Sequence, residues 1–193
     1  MTRRSAAVTL LLFATATPSS ATTIIDTYPF WDGAGVTSGW KLTAQTITAP
    51  LDSVLVGYRF ALDPRPGGGT VGFSVREWGL TGPIGPELYS TTAPWPETGG
   101  DIDLTGIDLS LTTGTLYGMV VDLLGYGGYS VHFITFSPYS GGSGFWSDGT
   151  TWQSFPSLDH RFRAEFEAAP EPGTSLLLAA GLGLLYRSRR RRI

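Results

Sequence analysis

His160 follows Asp159 directly, the one place in the chain where an imidazole and a carboxylate adjoin. A carboxylate orienting an imidazole is half of a nucleophilic triad. Adjacent residues of a strand point to opposite faces, however, so these two side chains diverge. His132 is the only other histidine and lies in the apolar run VHFITF at 131–136. A hydrogen-bonded sheet histidine is the simpler reading there. Gly141-Gly142-Ser143-Gly144-Phe145 lacks the second glycine of a nucleophile elbow, with no strand-to-helix turn around it. Gly67-Gly68-Gly69-Thr70 has no lysine and is not a phosphate loop. These residues predict no catalytic group, no cofactor and therefore no enzyme.

Oxygen ligands and aromatic rings remain. The stretch 101–108 places Asp101, Asp103 and Thr105 at positions one, three and five and Gly106 at six, as a calcium loop does. Thr112 occupies the position of the expected bidentate glutamate, and Ile102 and Leu104 alternate with the aspartates. Asp101, Asp103 and Asp108 are thus weak calcium candidates, more simply read as the wet side of a strand. Asp148 and Glu77 are the pair a glycan hydrolase would use, if they face each other about 5–10 Å apart in a cleft. Trp95 sits between Pro94 and Pro96; Tyr126, Tyr129 and Tyr139 flank glycine-rich turns; Trp146 and Trp152 bracket a polar turn at 147–151. Aromatic faces stack on sugar rings while carboxylates and amides such as Asp148 or Gln153 bind hydroxyls. Trp95, Tyr139, Trp146, Asp148 and Trp152 are accordingly the candidate glycan contacts, against the plainer role of covering the ends of the fold.

The elements that must position these groups follow a period of two. Val54, Val56, Tyr58, Phe60 and Leu62 alternate with Leu55, Gly57, Arg59 and Ala61. Val71, Phe73 and Val75 form a second set, Ile107, Leu109 and Leu111 a third, and Phe162, Ala164 and Phe166 a fourth. Each implies a sheet with one buried and one wet face. Residues 116–124 and 131–136 are apolar at most positions and predict central strands covered on both faces. Glycine-rich links at 64–69, 113–114, 125–128 and 141–144 separate the strands. The pattern predicts an all-β, antiparallel β-sandwich of jelly-roll type.

The two ends differ from this middle. Arg3 and Arg4 precede an apolar run at 6–16 and the small residues 18–21, which predicts a signal peptide over 1–21. Residues 22–168 then form the sandwich domain, long enough to bury about 70% of its unfolded surface without the disulfides its lack of cysteine rules out. That segment holds six Lys and Arg against fifteen Asp and Glu, a net charge of −9. So acidic a surface repels phosphate backbones and argues against nucleic-acid binding.

The tail at 169–193 carries Pro170-Glu171-Pro172-Gly173, an apolar run at 174–186, and the cluster Arg187, Arg189, Arg190, Arg191 and Arg192. The arginines act as a stop-transfer signal. This ordered triple resembles the PEP-CTERM sorting signal of exported bacterial proteins. The resemblance implies a membrane-embedded exosortase that recognises and cuts the tail, after the secretory translocon and signal peptidase have acted at the other end. It also implies a setting near exopolysaccharide. As a helix, 173–186 spans only about 21 Å at ~1.5 Å per residue, against a bilayer core of about 30 Å. Transient insertion before processing suits that length better than permanent anchorage. The sequence as a whole predicts an exported, non-enzymatic envelope or extracellular module with polysaccharide as a partner. The alternatives are a glycan-active hydrolase and a plain single-pass surface protein.

Overall fold

The computed structural model describes residues 22–35, 40–51, 53–125 and 131–168. The expected signal peptide and the expected sorting tail, with Tyr126 and Tyr129, lie outside these residues. The described strands are β1 (Thr22–Asp26), β2 (Leu42–Thr48), β3 (Ser53–Leu62), β4 (Gly69–Trp78), β5 (Pro83–Trp95) and β6 (Gly100–Ser110), then β7 (Leu116–Asp122), β8 (Phe133–Ile134), β9 (Gly144–Ser147), β10 (Trp152–Phe155), β11 (Asp159–His160) and β12 (Phe162–Ala168). One sheet has the order β1-β12-β3-β6 and the other β10-β9-β2-β7-β4-β5, with β8 and β11 as a separate ribbon. Every pairing is antiparallel. Two antiparallel sheets enclosing one core make a β-sandwich.

Alternation explains the core. Tyr58, Phe60 and Leu62 of β3, with Phe162, Ala164 and Phe166 of β12, face Phe73 and Val75 of β4 and Met119 and Val121 of β7. Tyr58 joins the layers, its ring 5.1 Å from that of Phe73 and 5.9 Å from that of Phe162. Burial of each such large apolar side chain contributes roughly 1.5–3 kcal/mol. In β3 the parity changes earlier than the sequence pattern suggests. Leu55 is in the core and Val56 is not, because the ladder shifts register between Leu55 and Gly57.

The run 116–124 behaves as expected: β7 is central, between β2 and β4. The run 131–136 does not. Only Phe133 and Ile134 are strand, paired with His160 and Asp159. Val131 and His132 make single bridges to Leu62 and Gly35, and the backbone N–H of Thr135 donates to the Asp32 carboxylate at 3.2 Å. Loops supply the partners a long central ladder would have required.

Candidate functional site

A second apolar cluster lies on the outer face of the six-stranded sheet: Ala44, Trp78, Val120 and Phe145, with Leu42, Leu116 and Trp152 against it. Trp78 reaches that face by plain alternation: it is three residues on from the inward-facing Val75, and the β4–β7 ladder keeps its register through Val75, Arg76 and Glu77. The indole lies over Gly118 of β7, where a Cβ would overlap the ring. Its edge meets Phe145 at 5.1 Å and Trp152 at 4.8 Å between centroids. Three strands separate β10 from β4 in the sheet order. Contact between Trp78 and Trp152 therefore requires the sheet to roll its outer face into a trough.

Where the trough closes, the β4–β5 turn approaches the β9–β10 hairpin. A Cβ on Gly82 would lie 3.0 Å from Cδ1 of Trp152, so glycine is what permits the approach. Between the two turns is a groove of about 570 Å³, lined by Leu80, Thr81, Ile84, Thr150, Thr151 and Trp152 among others. Leu80 is 98% exposed and Ile84 50% exposed. Asp148 shapes one bank. Its Oδ1 accepts hydrogen bonds from Thr150 N (2.8 Å), Thr150 Oγ1 (2.7 Å) and Thr151 N (3.0 Å). Those bonds, the Thr150 hydroxyl first, hold the exposed carboxyl well below the usual carboxylate range. The groove thus offers one indole, two aliphatic side chains and three threonines. That combination suits a ligand with both C–H faces and hydroxyls.

The other expected glycan contacts do not join Trp152. Trp95 is 1% exposed in the main core, and its Nε1 donates to the carbonyl of Asp63 at 3.0 Å. Trp146 is 3% exposed, edge-on to Phe155 at 4.4 Å and to His160 at 5.5 Å. Tyr139 is half-buried against Phe162. Trp146 is cross-strand from Gln153 and Thr43, whereas Trp152 is opposite Ser147. The pleat therefore sends the two indoles to opposite faces. Burial removes Trp95 and Trp146 as contact surfaces.

The side chains of Asp159 and His160 do diverge. Asp159 Oδ1 accepts from Gln45 Nε2 at 2.9 Å, and Oδ2 accepts from Tyr139 N at 2.9 Å and Ser137 Oγ at 3.0 Å. Burial nevertheless raises its pKa. The His160 backbone N–H donates to Gln45 Oε1 at 2.8 Å, while its Nε2 has no hydrogen-bond partner among the described residues. Burial pushes the imidazole down to about 3, so it is neutral.

His132 differs from the sheet histidine of the sequence pattern. Its Nε2 lies 3.2 Å from Asp63 Oδ1 and its Nδ1 3.4 Å from Arg161 Nη1. The ring stacks on Trp31 at 4.7 Å and 5°. Arg161 lies 4.4 Å from the Trp31 ring and 4.3 Å from that of Tyr28. This cation–aromatic clasp fastens the segment after β1 to the sandwich. Tyr28, Trp31 and Arg161 carry no local spacing signal that marks them as partners.

The calcium candidates do not form a loop. Asp103 ion-pairs with Arg59, whose Nη1 is also 4.0 Å from Asp101. Asp101 accepts from the Tyr28 hydroxyl at 3.1 Å. Asp108 sits apart at φ 52° in an irregularity of β6. Both carboxylates already lie beside the Arg59 guanidinium, and no group of three metal-ligating side chains occurs among the described residues. Glu77 and Asp148 are both exposed, and neither lines the groove. Among the described residues no helix is long and apolar enough to cross a membrane.

No family model and no curated protein matches the chain. Its fold is similar to solved structures of Cwp84. One is a crystal structure of the cysteine protease and lectin-like domains of this surface-layer-associated protein of Clostridium difficile. It has a TM-score of 0.55 at 13% identity over 80% of this chain and 37% of that one. Another is the clostridial protease after propeptide cleavage, with a TM-score of 0.57 at 12% identity over 77% of this chain and 40% of that one. The chain spans well under half of the length of these neighbours. The likeness is one of fold.

Proposed function

We propose that this chain is an exported, non-enzymatic jelly-roll module that holds polysaccharide at the cell envelope, with the groove beside Trp152 as its contact surface. The observation that carries the reading is the groove itself: a half-buried indole set among exposed aliphatic side chains and threonine hydroxyls. A sugar ring has apolar C–H faces and a polar rim, and this lining offers partners for both. The strand orders β1-β12-β3-β6 and β2-β7-β4-β5 support the jelly-roll reading, with β8 to β11 inserted before the closing strand. The neighbouring fold occurs in a surface-layer-associated protein with a lectin-like domain, which agrees with an extracytoplasmic, sugar-facing role.

The sorting reading rests on the two ends. At one end Arg3 and Arg4 precede an apolar run at 6–16, and at the other Pro170-Glu171-Pro172, an apolar run at 174–186 and the arginine cluster follow one another. In this reading the translocon and signal peptidase process one end, an exosortase-type enzyme the other, and the membrane holds the tail in between.

A glycan array probed with the full-length chain in mild detergent tests the binding role. The expected result is binding to one or a few bacterial polysaccharides, weakened at least about tenfold, ~1.4 kcal/mol, by Trp152→Ala. Silence across the array, or binding indifferent to Trp152, would overturn it.

A further inference from the structure

The four-stranded sheet turns a row of charges outward. Asp26, Arg163, Arg59 and Asp103 are successive cross-strand partners on β1, β12, β3 and β6. Arg163 Nε is 2.8 Å from Glu165 Oε1 and Nη1 is 3.8 Å from Asp26, while Arg59 pairs with Asp103. The next row on the same face is Glu165, Gly57 and Thr105. With no side chain at Gly57, a dent of about 190 Å³ opens there, rimmed by Arg59, Asp103, Thr105, Arg163 and Glu165.

Packing does not demand this glycine. A Cβ on it would meet Glu165 Oε2 and Leu104 O at 3.5 Å, which is ordinary contact. Gly57 is also absent from the residues at positive φ. Glycine inside a strand sacrifices roughly 0.5–1 kcal/mol relative to alanine. Beside the dent, β6 is irregular: Gly106 has φ 69° and Asp108 φ 52°. Aspartate adopts that region more readily than most non-glycine residues, and such irregularities concentrate next to binding sites. At Gly57 the chain gives up strand stability where packing does not require a glycine, and the dent stays open.

Its chemistry is balanced, with two guanidiniums and two carboxylates around one hydroxyl. A phosphate or a metal ion would face as much repulsion as attraction. A vicinal diol fits instead, each hydroxyl donating to a carboxylate and accepting from a guanidinium. The volume is below the ~300–1,000 Å³ of drug-sized pockets, so it suits one ring and not an extended chain. We propose that the dent over Gly57 is a second carbohydrate site, reading the vicinal hydroxyls of a single neutral sugar ring. It takes its ligand class from the polysaccharide reading above. Because the Trp152 groove belongs to the outer face of the other sheet, one molecule can hold two polysaccharide chains and cross-link them.

The test is calorimetric titration of the full-length chain, in mild detergent, with neutral glucan, galactan and mannan oligosaccharides. The expected result for the unmodified protein is two sites. Trp152→Ala leaves one, which disappears when Gly57→Val fills the dent and weakens about tenfold with Glu165→Gln; thermal melting verifies that each variant is folded. A single site in the unmodified protein, lost with Trp152→Ala and untouched by Gly57→Val and Glu165→Gln, overturns this inference and leaves the groove reading intact. Binding lost only through Gly57 and Glu165 supports the dent and removes the groove. Absence of binding to all three oligosaccharides overturns the dent, while a response to other polysaccharides on the array would still support the groove.

Discussion

Gln45 and Asp159 are joined by a buried 2.9 Å hydrogen bond from Nε2 to Oδ1 across 114 residues of chain. The same amide accepts the His160 backbone N–H through Oε1, and the same carboxylate holds Ser137 and Tyr139. One side-chain pair thereby fastens β2, the β8–β11 ribbon and the loop before β9.

Truncating Asp159 strands those donors. Although burial disfavours its charge, removing the carboxylate leaves the Tyr139 N–H and one N–H of the Gln45 amide, whose other bond goes to the Thr46 carbonyl at 3.1 Å, without an acceptor. Each unsatisfied buried group costs about 1–3 kcal/mol. Asp159→Ala is expected to lower unfolding stability by about 3 kcal/mol in urea titrations. Asp159→Asn, which still offers Gln45 an oxygen, should fall between the two.

His160 makes stability sensitive to acid. Its folded pKa is depressed to about 3 from the ordinary 6.5. Between those values the unfolded chain binds the proton more readily, so this contribution is complete above about 6.5 and is lost as the pH falls toward 3. Over the interval from about pH 7 to 4.5 the expected loss is roughly 2–3 kcal/mol. Asp159, whose pKa is raised, works in the opposite sense, so the comparison must isolate the histidine. Urea midpoints at the two pH values should converge for His160→Phe relative to the unmodified chain; an unchanged pH dependence would refute the assignment.

Gly118 is the seat of the Trp78 indole. Gly118→Ala forces the ring off the outer face and disturbs its edge contact with Trp152. Overpacking of this kind costs about 1–3 kcal/mol. The expected signature is a lower melting temperature with red-shifted tryptophan emission, because Trp78, now 3% exposed, moves toward water.

Processing of the ends has a mass signature. Protein recovered from the cell surface should lack residues 1–21 and the arginine cluster at 187–192, as read by intact-mass measurement. Replacing Pro170, Glu171 and Pro172 by alanine should leave the cluster attached. Surface protein of full tail length in the unmodified strain would count against the sorting reading.

Local alternation was enough to place Phe73, Tyr58, Phe60, Phe162 and Phe166 in the core, because a period of two declares a half-buried strand within a few residues. Composition alone likewise set the acidic middle apart from the basic ends. The groove was not legible in this way. Trp152 stood out as an aromatic beside a polar turn, yet Trp95 and Trp146 looked just as promising and are buried. What separates them is parity at β9 and β10, and the rolling of a sheet that brings β4 to β10. The clasp of Arg161 between Tyr28 and Trp31 depends likewise on β1 pairing with β12. Alternation is a property of neighbours in the chain. Register, bulges and closure are properties of strands that meet only after folding, and only the tertiary structure decides them.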